Sequence, residues 1–189
     1  MIFNILIYNT TLENKKKMSI QIKVIKENVT NVQCDILVNS CHPSLENGGG
    51  IHGAIRKAAG FPFAESCKCF MQGRGYIPLA PGEKMLTSGS GSLKAAHILN
   101  IAAPTTFSPE VLKLAYRHVF VEACQKKAKT VVMPMFSTGV YGMKTNESFK
   151  AFIDCFREMS GYITHDLTIA IITNDDSQFS ELMFLVKHT

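Results

Sequence analysis

Short apolar runs, rich in β-branched residues, alternate along the chain with segments in which apolar residues recur every three or four positions. The short runs predict β-strands, and the longer period predicts helices. The predicted strands cover residues 20–25, 36–38, 85–87, 97–101, 131–135 and 167–172. The predicted helices cover residues 51–59, 63–71, 110–127, 147–159 and 177–186. Strands that alternate with helices in this way indicate the α/β class.

The strand at residues 131–135 reads Val-Val-Met-Pro-Met, with no alternating polar positions. Such a strand is typical of a sheet that helices cover on both faces. We therefore predict a three-layer α/β/α sandwich with a mixed, mostly parallel central sheet. Ligands of such sheets bind beyond the carboxyl ends of the strands. The loops after Val38, Ile101, Pro134 and Ile172 are accordingly the expected location of a site.

The length of 189 residues and the hydrophobic content of 46% suit one domain with a sizeable core. We assign residues 19–189 to this domain and residues 1–18 to an N-terminal extension, which is either an edge strand or disordered. No apolar run is long enough to span a membrane, and no basic region precedes the apolar start of the chain. We expect a cytoplasmic monomer.

The cysteines and the charge add little chemistry. The six cysteines lack the spacing of a zinc site, so we expect reduced, buried thiols and neither a metal nor a cofactor. The 20 Lys and Arg residues exceed the 15 Asp and Glu residues, which favours anionic ligands only mildly. Nucleic-acid binding through a basic surface remains a minor alternative.

Two predicted loops carry residues that suit phosphate binding. Gly48, Gly49 and Gly50 run directly into a helix, where backbone N–H groups can approach an anion closely. The second loop, residues 137–142, reads Ser-Thr-Gly-Val-Tyr-Gly, and Tyr141 offers a flat face to a sugar or base. Either loop alone is compatible with an ordinary turn. Both at one edge of a sheet favour a site that clamps a diphosphate.

Ordered motifs over about residues 20–185 resemble the macro domain family. The motifs are Asn28-Val29-Thr30, DILVNSCH at residues 35–42, GGGIHGAI at residues 48–55, Pro81-Gly82-Glu83, HILNIAAP at residues 97–104 and the loop at residues 137–142. Macro domains bind ADP-ribose, and some remove it from modified proteins. The resemblance therefore implies a macro domain at residues 19–189, with ADP-ribose as its ligand and ADP-ribosylated proteins as partners.

The resemblance implies a diphosphate site made by backbone amides of both loops. Its residues are Gly48, Gly49, Gly50, Ile51, Ser137, Thr138, Gly139, Val140 and Tyr141, the last also packing on the distal ribose. Asn28 and Val29 would lie at the adenine, with Asn28 replacing an aspartate of the family. Its side-chain oxygen can still accept a bond but carries no charge, so we expect weakened adenine recognition; a turn role is equally compatible. The other implied ligand residues are Asn39, His42, Ala102, Pro104 and Asn174.

Two histidines depart from the pattern of the hydrolytic macro domains. His42 occupies the place of an asparagine that orients the distal ribose, and His52 occupies the place of an aspartate found in some hydrolases. His42 could serve as a base that activates water, which makes His42 and the neighbouring Gly49 the candidate catalytic residues. The interpretation we favour is that His42 holds a ribose hydroxyl by a hydrogen bond and that His52 lies on an exposed first helical turn.

Three further positions have simpler interpretations. We expect His97 to be a core histidine with its hydrogen bonds satisfied and Phe179 to pack in the core. Asp175 either contacts adenosine or caps the helix that follows.

The function predicted first is that of a reader, which binds free or protein-linked mono-ADP-ribose between the two glycine-rich loops. The alternative is a mono-ADP-ribosyl-protein hydrolase acting on acidic side chains, weakened because His42 replaces the usual catalytic asparagine.

Overall fold

The computed structural model describes residues 2–10, 18–46 and 48–189. The elements of these ranges are, in chain order, β1 (Ile2–Thr10), β2 (Met18–Lys26), β3 (Gln33–Cys41), α1 (Gly50–Gly73), β4 (Lys84–Ser88), β5 (Lys94–Ala102), α2 (Pro109–Lys126), β6 (Thr130–Met133), α3 (Thr145–Met159), a 3-10 turn (Ser160–Tyr162), β7 (Leu167–Thr173) and α4 (Asp176–Lys187).

The strands of the described ranges form one sheet in the order β1-β2-β7-β6-β3-β5-β4. The strands from β2 to β5 in this order pair in parallel, while β1 and β4 pair antiparallel at the two edges. The predicted mixed, mostly parallel sheet is therefore confirmed. Residues 2–10 of the N-terminal extension form the edge strand β1.

Helices cover both faces of the sheet. Ile36 and Val38 of β3 point to a core packed by α2, α3 and α4. Leu37, between them, points to a second core packed by α1. Successive strand residues face opposite sides of a sheet, so a strand covered on both sides must be apolar throughout. This packing confirms the three-layer sandwich.

The helix α1 bends where its sequence requires it. Gly60 has φ 71° and ψ −157°, a conformation outside the helical range that glycine adopts without steric cost. Pro62 follows and cannot donate a backbone hydrogen bond. The helices predicted at residues 51–59 and 63–71 are thus the two arms of one bent helix.

Two helix starts are set by side-chain caps. The Ser108 hydroxyl accepts the N–H of Val111 at 3.4 Å at the start of α2. The Asp175 carboxylate accepts the N–H of Gln178 at 2.6 Å at the start of α4, which gives Asp175 the capping role. Phe179 packs against the core, as expected.

His97 is half-buried, so its prediction as a core residue was wrong. It lies in the first half of β5, beside the edge strand β4, and complete burial in β5 begins only at Ile98.

The thiols follow the sequence prediction in part. All six cysteines are free; Cys34, Cys41, Cys67 and Cys155 are buried, whereas Cys69 is exposed and Cys124 is half-buried. None of the helices in the described ranges combines the length and the apolar character needed to cross a membrane.

Candidate functional site

A cleft of about 530 Å³ opens at the carboxyl edge of the sheet. The loops after β2, β3, β6 and β7 line it through Glu27, His42, Pro134 and Asn174. Parallel strands end at the same edge of the sheet, so residues far apart in sequence converge there. The loops after β3, β6 and β7 were predicted to do so, but the loop after β5 does not line the cleft.

The first glycine loop leads into α1. Gly49 is the N-cap residue of this helix, and no side chain caps the helix start. A Cβ atom at Gly49 or Gly50 would meet no atom within 4 Å, and Gly50 has φ +56°. The backbone is therefore unobstructed at a helix N-terminus, where N–H groups and the helix dipole favour an anion.

The second glycine loop is held by side chains on its other side. Ser137, with φ 65°, donates its hydroxyl to the Pro104 carbonyl at 2.6 Å. Thr138 donates to the Met135 carbonyl at 3.2 Å and accepts from Gln178 Nε2 at 2.8 Å. These contacts attach the loop to the segment after β5 and to α4.

A closed ring of hydrogen bonds supports the second loop from below. The N–H of Phe136 donates to Tyr116 Oη at 3.1 Å, and the Ser148 hydroxyl donates to the Phe136 carbonyl at 2.8 Å. Because the Ser148 proton is engaged there, Tyr116 must donate in the 2.6 Å bond to Ser148. All three residues are buried. The ring fixes the residue that immediately precedes Ser137.

His52 is buried beneath the first loop, with 3% of its surface exposed, so the prediction of an exposed position was wrong. Its Nε2 lies 2.6 Å from the Glu46 carbonyl, which can only accept, so Nε2 carries the proton. Its Nδ1 is then unprotonated and accepts from Asn39 Nδ2 at 2.9 Å. Burial lowers the pKa of His52, which keeps the ring neutral. The burial follows because the chain folds back from Glu46 over the first turn of α1.

Asn39 lies behind the cleft instead of lining it, in contrast to its predicted role as a ligand residue. It is 0% exposed, and its Nδ2 also donates to Asn100 Oδ1 at 2.8 Å. Its strand lies in the interior of the sheet between β5 and β6, and Asn39 itself is the register partner of Asn100 in β5.

His42 lines the cleft, and its tautomer is set by Ser44. The backbone N–H of Ser44 donates to His42 Nδ1 at 3.2 Å, and the Ser44 hydroxyl lies 2.8 Å from the same nitrogen. Since Nδ1 accepts, the proton of the neutral ring is on Nε2. In this state His42 is a hydrogen-bond donor and not a base.

The comparison with known proteins identifies the family. The Macro domain profile matches residues 38–152. An O-acetyl-ADP-ribose deacetylase of Enterobacter cloacae is 37% identical over 130 residues, which are 66% of this chain and 71% of that protein. This chain belongs to the Macro domain family. A protein of the same name from Enterobacter sp. strain 638 is 34% identical over 146 residues, or 75% of this chain and 79% of that protein.

Solved macro domains have the same fold. The Oceanobacillus iheyensis macrodomain, solved with ADP, superposes with TM-score 0.78 at 22% identity, over 99% of this chain and 100% of that one. The Trypanosoma brucei macrodomain in complex with ADP-ribose gives TM-score 0.69 at 24% identity, over 87% of this chain and 68% of that one.

Asn28 lies at one end of the macro domain cleft. Asn28 Oδ1 already accepts two bonds, from Thr30 N at 3.0 Å and Thr30 Oγ1 at 2.9 Å. The turn role of Asn28 is therefore present, and Nδ2 is its remaining polar group. The neighbouring Glu27, which sequence reasoning missed, also lines this end of the cleft. The N–H of Asn28 donates to Glu27 Oε1 at 2.8 Å, which lowers the pKa of that carboxyl.

Most residues implied by the family resemblance line this cleft. They are Asn28, Val29, His42, Gly48, Gly49, Gly50, Ile51, Ser137, Thr138, Gly139, Val140, Tyr141 and Asn174. Ala102 and Pro104 do not, since β5 lies on the side of β3 away from β6 and β7. Ala102 pairs its backbone with Gly82 and Glu83, and Pro104 supports Ser137. Lining residues that sequence reasoning missed include Glu27, Met135, Thr173 and Gln178. The sequence feature that could have identified them is position: Glu27, Met135 and Thr173 lie at or just after the end of a predicted strand, and Gln178 lies at the start of a predicted helix that follows one.

Within the described part of the macro domain, no three His, Cys, Asp or Glu residues are grouped as they would be to hold a metal ion.

Proposed function

We propose that this macro domain binds ADP-ribose, free or protein-linked, in the cleft at the carboxyl edge of the sheet and acts as a reader of ADP-ribosylation. The observation that carries the proposal is that both glycine loops line one cleft, with an uncapped helix start at Gly49. A diphosphate between these loops would receive backbone N–H groups and the positive end of α1. The relatives solved with ADP and with ADP-ribose support this ligand class.

The state of the two histidines favours binding over catalysis. A general base needs a nitrogen that can take a proton from water. Both ring nitrogens of His52 are engaged by protein partners, and His42 uses Nδ1 as an acceptor for Ser44. His42 Nε2–H is thus suited to hold a ribose hydroxyl, as the reader function requires.

Hydrolysis of an ester on the ribose is the second candidate function. It is favoured by the relatives named O-acetyl-ADP-ribose deacetylase, which are 37% and 34% identical. In this alternative the first glycine loop positions a water, and the phosphate of the substrate takes a proton from it. The water adds to the acyl carbon, and the ester splits into a ribose hydroxyl and either acetate or the carboxylate of an acidic protein side chain.

Calorimetric titration with ADP-ribose, ADP and AMP tests the binding proposal. We expect ADP-ribose to bind most tightly, because it alone combines the diphosphate with a distal ribose that His42 can hold. The variants Gly49→Glu and Gly49→Gln have the same shape, and the open space at this glycine lets both fold. A carboxylate beside the diphosphate should weaken ADP-ribose at least about tenfold relative to the amide, or about 1.4 kcal/mol. Gly161→Glu, at an equally open glycine outside the cleft, is the matched control.

Equal affinities of the Glu and Gln variants would place the diphosphate elsewhere and overturn the assigned site. Absence of ADP-ribose binding to the parent protein would overturn the proposed function itself.

Turnover separates the two candidate functions. We expect the parent protein to release little acetate from O-acetyl-ADP-ribose and little ADP-ribose from a protein modified on glutamate. His42→Asn restores an amide at the ribose and should raise either rate. Rapid turnover by the parent protein, lowered by this substitution, would contradict the reader proposal and support the hydrolase.

A further inference from the structure

The hydrogen bonds around His52 form a chain whose direction is fixed at both ends. Asn100 Nδ2 donates to the Met85 carbonyl at 3.2 Å, and Asn39 Nδ2 donates to Asn100 Oδ1 at 2.8 Å. Asn39 Nδ2 also donates to His52 Nδ1, and His52 Nε2 donates to the Glu46 carbonyl. Backbone carbonyls accept only, so neither end of the chain can reverse.

The same imidazole shapes the first glycine loop. A Cβ atom at Gly48 would lie 2.8 Å from Cδ2 of His52, so the ring fills the space behind this glycine. A Cβ atom at Gly53 would lie 2.4 Å from the Gly48 carbonyl oxygen, so the loop packs closely on the first turn of α1. The contact with Glu46 anchors the chain two residues before Gly48.

We propose that neutral His52 is the positioning residue of the first glycine loop, and that its protonation releases the loop and weakens ligand binding. The proposal rests on the proposed function, because ADP-ribose is the ligand whose affinity reports the loop. His52 is not itself a catalytic residue, since its nitrogens contact protein groups only.

Protonation of Nδ1 places a second donor against Asn39 Nδ2. If the Asn39 side-chain amide rotated by 180°, Asn39 Oδ1 would accept from His52 but would face Asn100 Oδ1. If the Asn100 amide rotated as well, Asn100 Oδ1 would face the Met85 carbonyl oxygen. Every rearrangement thus leaves one like pair in a buried site, where an unmade hydrogen bond is costly. Turning the ring away from Asn39 is the relief nearest to the surface, and it disturbs the packing behind Gly48 and so frees the loop.

The charged surroundings of His52 also favour its neutral state. Burial is the main cause of its lowered pKa, and Arg56 on the next turn of α1 and His42 on the preceding loop lower it further. The Glu46 carbonyl acts in the opposite direction, and β3 and β5 present only the amides of Asn39 and Asn100. The ring therefore becomes charged only in acid.

The test is the pH dependence of ADP-ribose affinity, measured by calorimetry between pH 7.5 and pH 5.0. The diphosphate keeps its charge over this range. Simple attraction between newly charged histidines and the ligand would tighten binding in acid. Release of the loop predicts the opposite sign, a weakening of at least about fivefold at pH 5.0. Repeating the calorimetry in His42→Gln replaces the other cleft histidine with a neutral side chain.

Variants of His52 show whether this residue is the titrating group. Gln keeps a donor near the Glu46 carbonyl and does not titrate, whereas Ala keeps neither partner. We expect His52→Gln, made in the His42→Gln background, to give a pH-independent affinity, higher at pH 7.5 than that of His52→Ala in the same background. His118→Gln is the matched control, because burial also lowers the pKa of His118 but it does not line the cleft. This variant should keep the parent profile.

Binding that is constant or tighter in acid would overturn the proposal, as would an unchanged profile in His52→Gln. Both results leave ADP-ribose binding intact. They are therefore distinguishable from failure of the proposed function, in which no heat is seen at any pH.

Discussion

Replacing Tyr116 with Phe tests the ring of hydrogen bonds beneath the second glycine loop. The substitution keeps the buried aromatic ring and its packing against Phe136 and Phe152. It removes the acceptor of the Phe136 N–H, which stays buried without a partner. Ser148 loses one donor but keeps its own bond to the Phe136 carbonyl.

The expected loss in the free energy of unfolding is about 1–3 kcal/mol, the cost of one unsatisfied buried N–H group. For a domain of this size each kcal/mol lowers Tm by about 2–4 °C. Tyr162→Phe removes a hydroxyl from a residue that is 71% exposed and should change stability by less than about 0.5 kcal/mol.

Urea denaturation, with equal slopes for all proteins, measures these differences. The double variant Tyr116→Phe with Ser148→Ala should lose clearly less than the sum of the single losses, because both substitutions break the same ring. The Tyr116 variant should also bind ADP-ribose more weakly, since Phe136 leads into Ser137. A loss below about 0.5 kcal/mol for Tyr116→Phe, or additive losses, would refute the closed ring.

Three further predictions follow from the same contacts. Although burial alone raises the pKa of Asp35, the hydrogen bonds that its carboxylate accepts from the N–H groups of Thr130 and Lys129 lower this pKa overall. Asp35→Asn should therefore lower the free energy of unfolding by about 1–2 kcal/mol at pH 7, and this loss should shrink as the pH falls below about 4. Urea denaturation at each pH measures the difference. Gln178→Ala removes the bond to Thr138 and should weaken ADP-ribose several-fold in calorimetry with little change in Tm; unchanged affinity would contradict a role for this bond. Glu27→Gln should weaken the binding of ADP-ribose about two- to tenfold but leave unchanged the binding of its hypoxanthine analogue, which lacks the exocyclic amino group of adenine. Equal losses of affinity for both ligands would show that Glu27 does not recognise the base.

Local sequence patterns were sufficient to predict the three-layer architecture. Apolar runs such as Val131-Val132-Met133 identify strands buried on both faces, and residues within one helical turn decide the caps at Ser108 and Asp175. The two glycine loops were found for the same reason, because each is a contiguous segment directly after a strand. Parallel topology then requires that both loops lie at one edge of the sheet.

Only the tertiary structure decided the state of the side chains in the site. His52 has the sequence position of an exposed first turn, yet it is buried because the loop from Glu46 packs over it. The ring that joins Tyr116, Phe136 and Ser148 links a helix, a strand exit and a second helix. Periodicity reports which face of an element is apolar. Which donor meets which acceptor depends on how distant elements pack, and that packing decides both the charge of His52 and the support of the second loop.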